Sequence, residues 1–484
     1  MIGKNTLVID MQELATRGMS SGANIADGGF SNETDAVNIT AVPGVLYAPA
    51  VAVDSDTDTR LTGGAIASCP DMNIVGATNR LVVTDDGKFY RYNGTKLDAA
   101  GISLTAGKTW ASGFTDTLTF GGETYVSSKE SLTRVQNDNT IDAGASWPFN
   151  FTNSNVPHPG LVHQDRMFWA DKNLLLSQST VGDAVAPSTV LTLDSSSIIL
   201  SLGVDPGSGL ILLGTTNTLD TSGTIPAINK LVWYDGNSST YLKSVVVEDS
   251  IFGFHTVGGM TFVGYGKNLG YINGSGISFL RRLKNVTNVQ AELPYKHHFA
   301  SIGNTLYVLD GLQILAYGEV IQGRKVFYYC FKNNVNSNKP TMLGYGGGGK
   351  LVIGFATSKF YSFDTTSVAT TNSMVFYSNK YNFQRPVYLR SAYIEYADAV
   401  VNNDDNRSIY YQSEDISVNG LQLLRVQGQT GTSGIKNTSG ASTNFIDNIV
   451  GFLQNKVRSL QLRYNTSTTN NGVKRIIIYY DPAE

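Results

Sequence analysis

The 484 residues suffice for two or three domains, and an apolar share of 41% supplies ample core. Charged residues make up only 15%, below the roughly 25% of an average globular chain. The net charge of −3 excludes a global basic field that would gather nucleic acid or anionic lipid.

Two cysteines, Cys69 and Cys330, lie far apart and match no metal-ligand spacing. They read as two buried thiols in a reducing compartment. Met1-Ile2-Gly3-Lys4-Asn5 opens without an apolar signal region, and no run reaches the length of a membrane span. The expectation is a chain made in the cytosol and not secreted through a cleaved signal. Asn38-Ile39-Thr40 and Asn285-Val286-Thr287 match the glycosylation sequon by chance in so Thr/Ser/Asn-rich a chain.

Residues 1–45 hold a short β-prone piece at Val8-Ile9, then Gly18, Ser20, Ser21, Gly22, Gly28 and Gly29 among scattered apolar residues. This predicts an extended arm, too poor in apolar residues for its own core, that serves assembly. Val45, Leu46, Val51 and Val53 predict a strand, well placed to complete the last sheet of a closed ring. Asp54-Ser55-Asp56-Thr57-Asp58 starts like a calcium loop, but Thr59 stands where the turn needs glycine and Ala65 where a bidentate glutamate belongs. An exposed acidic loop is expected instead.

A strand-turn-strand unit then recurs. Its clearest copy runs from Arg80-Leu81-Val82-Val83-Thr84 through Asp85-Asp86-Gly87 to Lys88-Phe89-Tyr90-Arg91-Tyr92. Asp-Gly between two β-rich runs predicts a hairpin with a type I′ turn. Further copies begin near Glu123, Arg166, Gly209, Gly259, Thr305 and Lys350. Their second residues fall at 81, 124, 167, 210, 260, 306 and 351, with gaps of 43, 43, 43, 50, 46 and 45. A period of roughly 40–50 residues of β structure is the signature of propeller blades. Each blade is a four-stranded sheet that must stack on its neighbours to bury both faces.

About seven blades are expected over residues 46–367, with Leu81, Val83, Leu306, Val308, Leu351 and Ile353 on inner, buried strands. Residues 219–228 enlarge the fourth blade, and Gly346-Gly347-Gly348-Gly349 reads as a flexible turn without the Lys-Ser/Thr of a phosphate loop.

A Thr/Ser/Asn linker at residues 366–373 ends the repeat. Met374-Val375-Phe376-Tyr377-Ser378, the run from Tyr388 to Tyr396, the run from Val457 to Tyr464 and the run from Val473 to Tyr480 alternate apolar and polar residues. They predict half-buried strands of a C-terminal antiparallel β-sandwich over residues 372–484. Ile446, Ile449, Val450 and Leu453 fall at helical spacing and predict a short helix within it. The fold class is therefore all-β: a propeller of about seven blades between an extended N-terminal arm and a C-terminal β-sandwich.

No constellation of catalytic residues emerges. His158-Pro159-Gly160-Leu161-Val162-His163 lacks the glutamate and helical spacing of a zinc protease. His297-His298, at the entry to a blade, and His255 read as surface or inter-blade histidines. The turns Thr84-Asp85-Asp86-Gly87 and Asp235-Gly236 resemble sialidase aspartate turns but lack the following tryptophan. A carboxylate pair for glycoside cleavage stays open, because its separation is set in space. Arg281-Arg282-Leu283-Lys284 is the one local basic cluster and reads as a solvated strand end, with phosphate contact the alternative. No catalytic, cofactor-binding or metal residue is expected, and no cofactor.

Gly28-Gly29-Phe30-Ser31-Asn32-Glu33-Thr34-Asp35-Ala36-Val37-Asn38, followed by Pro43-Gly44-Val45-Leu46 and a propeller, resembles the opening of tail-hub or nozzle propellers of short-tailed bacteriophages, the packaged-DNA stabilisation proteins. Tyr377-Ser378-Asn379-Lys380-Tyr381-Asn382-Phe383 and the run from Val387 to Tyr396 resemble their C-terminal domain. The chain departs from that pattern after Leu46, where Tyr47-Ala48-Pro49 replaces an Arg-rich segment. The resemblance implies a structural virion protein without enzymatic turnover. It implies a homo-oligomeric ring below the portal, six subunits by that resemblance alone, retaining and conducting DNA without sequence-specific binding. Its partners would be other tail, adaptor or portal proteins, with no membrane partner, and its place the virion tail after assembly in the host cytoplasm. The rival reading is a carbohydrate-binding or glycoside-cleaving propeller at the host cell surface.

Overall fold

A computed structural model describes residues 5–19, 29–30, 37–38, 44–50, 52–74, 77–97, 102–103, 113–136, 141, 149–179, 187–219, 225–283, 295–311, 313–321, 324–332, 340–356, 359–369, 374–400, 407–412, 422–423, 444–450, 456–466 and 472–483. They fold as two compact units. One holds residues 52–312 and 334–363; the other holds 1–51, 313–333 and 364–484.

The first unit is a seven-bladed propeller. Successive antiparallel sheets begin with the strands Ile66–Ser68, Asp116–Phe120, Gly160–His163, Ile198–Asp205, Ile251–Val257, Phe299–Ile302 and Pro340–Gly347. Each of these first strands lies against the first strand of the next sheet, and Pro340–Gly347 lies against Ile66–Ser68, so the ring closes. The second strands are Ala77–Thr84, Glu123–Ser127, Arg166–Asp171, Leu210–Thr216, Met260–Tyr265, Thr305–Asp310 and Lys350–Phe355, and they carry the sequence repeat. Leu81, Val83, Leu306, Val308, Leu351 and Ile353 are buried as expected, one strand out from the innermost.

Alternation of side chains along these second strands sends neighbours in sequence to opposite faces. Met167 and Trp169 pack with Leu118, Tyr125 and Leu132 of the second blade. Phe168 and Ala170 pack with Ile199, Ile211 and Leu213 of the fourth. Leu212 turns the other way, onto Ile251, Phe254 and Val263 of the fifth. Leu81 and Val83 join Val126 of the second blade, while Val82 joins Met342, Val352 and Phe360 of the seventh.

The Asp-Gly hairpin differs in detail from the expected type I′ turn. Val83 pairs with Phe89, and only Gly87 in the turn has positive φ, at 81°. The Gly87 amide donates to Thr84 O at 3.2 Å. The loop is thus three residues with a left-handed glycine, the next most favoured hairpin connection. The four-glycine stretch ends the strand Pro340–Gly347 and turns at Gly348-Gly349, with Gly347, Gly348 and Gly349 at positive φ.

Val53–Asp54 completes the seventh sheet beside Phe360–Asp364, with Val53 opposite Ser362 and Asp54 opposite Tyr361. The Ser55 amide donates to Phe360 O at 2.9 Å, and its hydroxyl donates to that of Ser362 at 3.1 Å. An N-terminal strand thereby closes the ring. The loop after it is exposed at residues 57–59, as expected, but Asp56 is buried and accepts the amides of Arg60 and Leu61, while Asp58 pairs with Arg60 at 2.8 Å. Short acidic side chains cap their own turn here.

The named strands of the second unit pair antiparallel. The 20-residue strand Tyr381–Val400 pairs first with Lys456–Thr466, then with Val473–Pro482 on one side and Asn444–Val450 on the other. Met374–Tyr377 and Arg407–Gln412 also pair with Lys456–Thr466. A strand shared between two sets of partners is how sandwich sheets turn a corner. The expected alternation appears as buried Val457, Leu460, Leu462 and Tyr464 on one strand, and Val473, Ile476 and Ile478 on another. The helix expected from Ile446, Ile449 and Val450 is instead the strand Asn444–Val450, because pairing with residues 391–400 overrides a weak periodicity. Leu453 lies outside the described residues.

The arm is also built in where it is described. Asn5–Asp10 adds to the edge of Val473–Pro482, burying Ile9. Met11–Arg17 follows as a helix, with the Asp10 carboxylate accepting the Gln12 amide at 2.8 Å and Gly18 (φ 66°) ending it. A Cβ on Gly18 would lie 2.5 Å from Val326 Cβ, so the close approach requires glycine. The scattered apolar residues Met11, Leu14, Met19 and Phe30 form no core of their own but are buried by this unit. Residues 20–28, 31–36 and 39–43 lie outside the described residues.

Ser55→Pro should remove the amide that ties down the closing strand and strand the Phe360 carbonyl. The expected loss is roughly 1–3 kcal/mol of unfolding free energy, read by denaturant titration.

Candidate functional site

The short segment before the sixth blade gathers the buried charges. Tyr295–His298 is a single 3₁₀ turn leading into Phe299–Ile302. It packs against Ile251–Val257 of the fifth blade, Phe299–Ile302 of the sixth and Pro340–Gly347 of the seventh. From it Lys296 and His297 reach Asp116 of the second blade, and Lys296 also reaches Gly160 of the third. A four-residue turn that meets the innermost strands of five of the seven blades lies over their common axis.

Asp116, at the start of its strand, is fully buried. Its Oδ1 accepts Lys296 Nζ at 2.7 Å, His297 Nε2 at 2.8 Å and the Thr117 amide at 2.6 Å. Its Oδ2 accepts the Gly160 amide at 2.8 Å. Burial works to raise the Asp116 pKa, but the Lys296 charge and the His297 hydrogen bond outweigh it and hold it at about 2. The carboxylate is therefore ionised and can only accept, which fixes the proton of His297 on Nε2.

Burial pushes the pKa of His297 down, against the pull of Asp116. His298, hydrogen-bonded to the Thr341 backbone, is held at about 4 by burial and the neighbouring His297. His255, on the fifth blade's first strand, is likewise lowered to about 4 by burial. Its ring stacks on Phe299 with centroids 6.2 Å apart, and its Nε2 is sealed from solvent without a hydrogen bond. His297-His298 and His255 are thus inter-blade groups at the ring axis, not surface histidines.

His158 belongs to a separate junction between the second and third blades. It stacks flat on Phe151 at 3.7 Å, with Nδ1 2.9 Å from Ala170 O and Nε2 3.1 Å from Lys129 O. Burial lowers its pKa although both carbonyls and the Asp171 charge favour the cation. Asp171 in turn accepts the amides of Thr152 and Asn153 at 2.8 and 3.0 Å. This is a structural lock between blades.

The basic cluster is not a solvated strand end at Arg281. Arg281 is 1% exposed within the fifth blade, Arg282 is exposed, and Lys284 lies outside the described residues. Asp235 of the sialidase-like turn caps the amides of Asn237 and Ser238 at 2.9 and 2.8 Å. Among the described residues, no three histidine, cysteine or acidic side chains converge as a metal set. Cys69 is buried in the first blade's core; the Cys330 side chain lies outside the described residues.

The sequence singled out the two histidines but neither Asp116 nor Lys296. These stand 180 residues apart, and no local motif marks either of them.

No family model matches the chain, and no curated protein does. Solved structures match its fold. The extracellular domain of a hybrid two-component system from B. thetaiotaomicron superposes with a TM-score of 0.50 at 11% identity, over 89% of this chain and 60% of that one. The Neurospora crassa Pan2 WD40 domain gives a TM-score of 0.43 at 10% identity, over 67% of this chain and 96% of that one. YCF48 bound to D1 peptide gives 0.43 at 9%, over 66% and 96%. The chain spans less than two thirds of the first-named domain.

The half-buried histidines, with pKa values held below the ordinary range, make the ring sensitive to acid. Their folded pKa values lie below the ordinary 6.5, so the folded state binds fewer protons than the unfolded chain. Their contribution is complete above pH 6.5 and is lost as pH falls toward 4. Asp116 remains ionised through that window. Melting temperature should drop between pH 6.5 and 4, with His255 and His298 each costing on the order of 2–3 kcal/mol. His255→Phe should flatten the profile.

Proposed function

We propose that this chain is a structural subunit of a short-tailed bacteriophage tail, a hub or nozzle protein below the portal. It acts through shape and subunit contacts, without turnover, cofactor or metal. One observation supports the reading above the others. The two stretches that resemble the phage family, residues 28–46 and 377–383, are 331 positions apart from Leu46 to Tyr377, yet where they are described they meet in one unit.

 Leu46 and Tyr377, their facing ends in the sequence, bracket the propeller repeats. Phe30 forms a β-bridge with Ser378, and its ring lies 5.9 Å from that of Phe376. Leu46 exchanges backbone hydrogen bonds with Val473 at 2.8 and 2.9 Å. Where they are described, at residues 29–30, 37–38 and 44–46, the family-like opening and the family-like C-terminal domain belong to one compact unit.

In this reading the subunits join head to tail into a closed ring, since contact between unlike surfaces closes when the rotation permits. Six copies follow from the phage resemblance. A net charge of −3 suits a conduit, because a strongly basic lumen would hold DNA by counterion release. Other tail, adaptor or portal proteins would bound the ring above and below.

Native mass measurement and electron microscopy of the assembled particle test this. The expected result is a closed ring of six with no tight DNA binding at physiological salt. A single copy, an open filament, or hydrolysis of a bacterial surface polysaccharide abolished by one Asp or Glu substitution would overturn it.

A further inference from the structure

The Lys296 ammonium has three N–H donors, and three oxygens face it. Asp116 Oδ1 lies at 2.7 Å, Gly160 O at 3.0 Å and Thr117 O at 3.1 Å. All three acceptors belong to the second and third blades, while the lysine arrives from the turn that enters the sixth. The acceptors are held without it. Asp116 is fully buried and is fixed by the amides of Thr117 at 2.6 Å and Gly160 at 2.8 Å. Gly160 and Thr117 sit in the first strands of their blades, locked by the ladders to Trp169 and Val126. The cradle is therefore a property of the ring, and the lysine is its occupant.

We propose that this cradle is a binding site for a primary ammonium group, with Lys296 as its resident ligand. A primary ammonium matches the three acceptors donor for donor, and the carboxylate supplies the countercharge. A guanidinium is planar and cannot point three donors at a pyramid of oxygens. A quaternary ammonium has no donor at all. The resident lysine clasps Tyr295–His298 across the ring axis. With that side chain withdrawn, the same atoms accept the ammonium of a free alkylamine or of another lysine. The assignment goes beyond the tail reading and does not depend on it.

Lys296→Ala is the test, with n-propylammonium chloride as the probe. The variant should melt several degrees below the parent chain. Propylammonium at roughly 100 mM should restore more than half of that loss by mass action, while tetramethylammonium chloride at equal ionic strength should not. Lys296→Ala combined with Asp116→Asn should show no rescue. Equal rescue by both salts, or none by either, would overturn the site. A measurement on the unaltered chain guards against a variant that fails to fold. A half-buried ammonium whose three donors are engaged by oxygens should be acetylated at least about threefold more slowly than exposed Lys243, read by peptide mass spectrometry. Equal labelling of the two would overturn the occupied cradle.

Discussion

Every blade depends on having a neighbour on each side. In the third blade Met167 and Trp169 face the second blade while Phe168 and Ala170 face the fourth. A sheet with both faces apolar cannot stand in water alone, at about 25 cal/mol for each Å² of apolar surface left exposed. The ring removes that exposure only if it closes. The hydrogen bonds of Val53–Asp54 and Ser55 to the strand Phe360–Asp364 are therefore a constraint on all seven sheets and not on the seventh alone.

The buried charges follow from the same closure. Asp116 can be ionised in a dry site because Lys296, His297 and two amides converge on it. Those partners come from the second, third and sixth blades, so the carboxylate is satisfied only in the assembled ring. Breaking one partner of such a pair leaves an uncompensated buried charge. The turn Tyr295–His298 thus reports on whether the blades are correctly placed around the axis, and its neutral histidines make that placement sensitive to acid.

Much of the fold was legible because the second strands carry two-sided burial in two to four consecutive apolar residues. Runs such as Leu81-Val82-Val83 and Leu210-Ile211-Leu212-Leu213 recur at the spacing of one blade. The strands of the C-terminal unit were legible for the opposite reason, since one-sided burial writes a strict alternation. What failed was local reading where partners are distant. Ile446, Ile449 and Val450 fit a helix until pairing with Tyr381–Val400 is known. Ile9, Met11, Leu14 and Phe30 look too sparse for a core until Val473–Pro482 supplies the other half. Arg281 reads as a solvated charge until its strand is placed inside the fifth blade. The site was the least legible part. His297-His298 could be noticed as a pair, but the Asp116 cradle is assembled from single residues of separate blades, and no spacing along the chain encodes it.

Native-state hydrogen exchange measures the closure most directly. If the ring stands or falls together, the Ser55 amide should open with the same free energy as interior amides of distant blades such as Phe168 and Leu212. Exchange at Ser55 through a much cheaper opening, with those interior amides still protected to the global limit, would contradict the account.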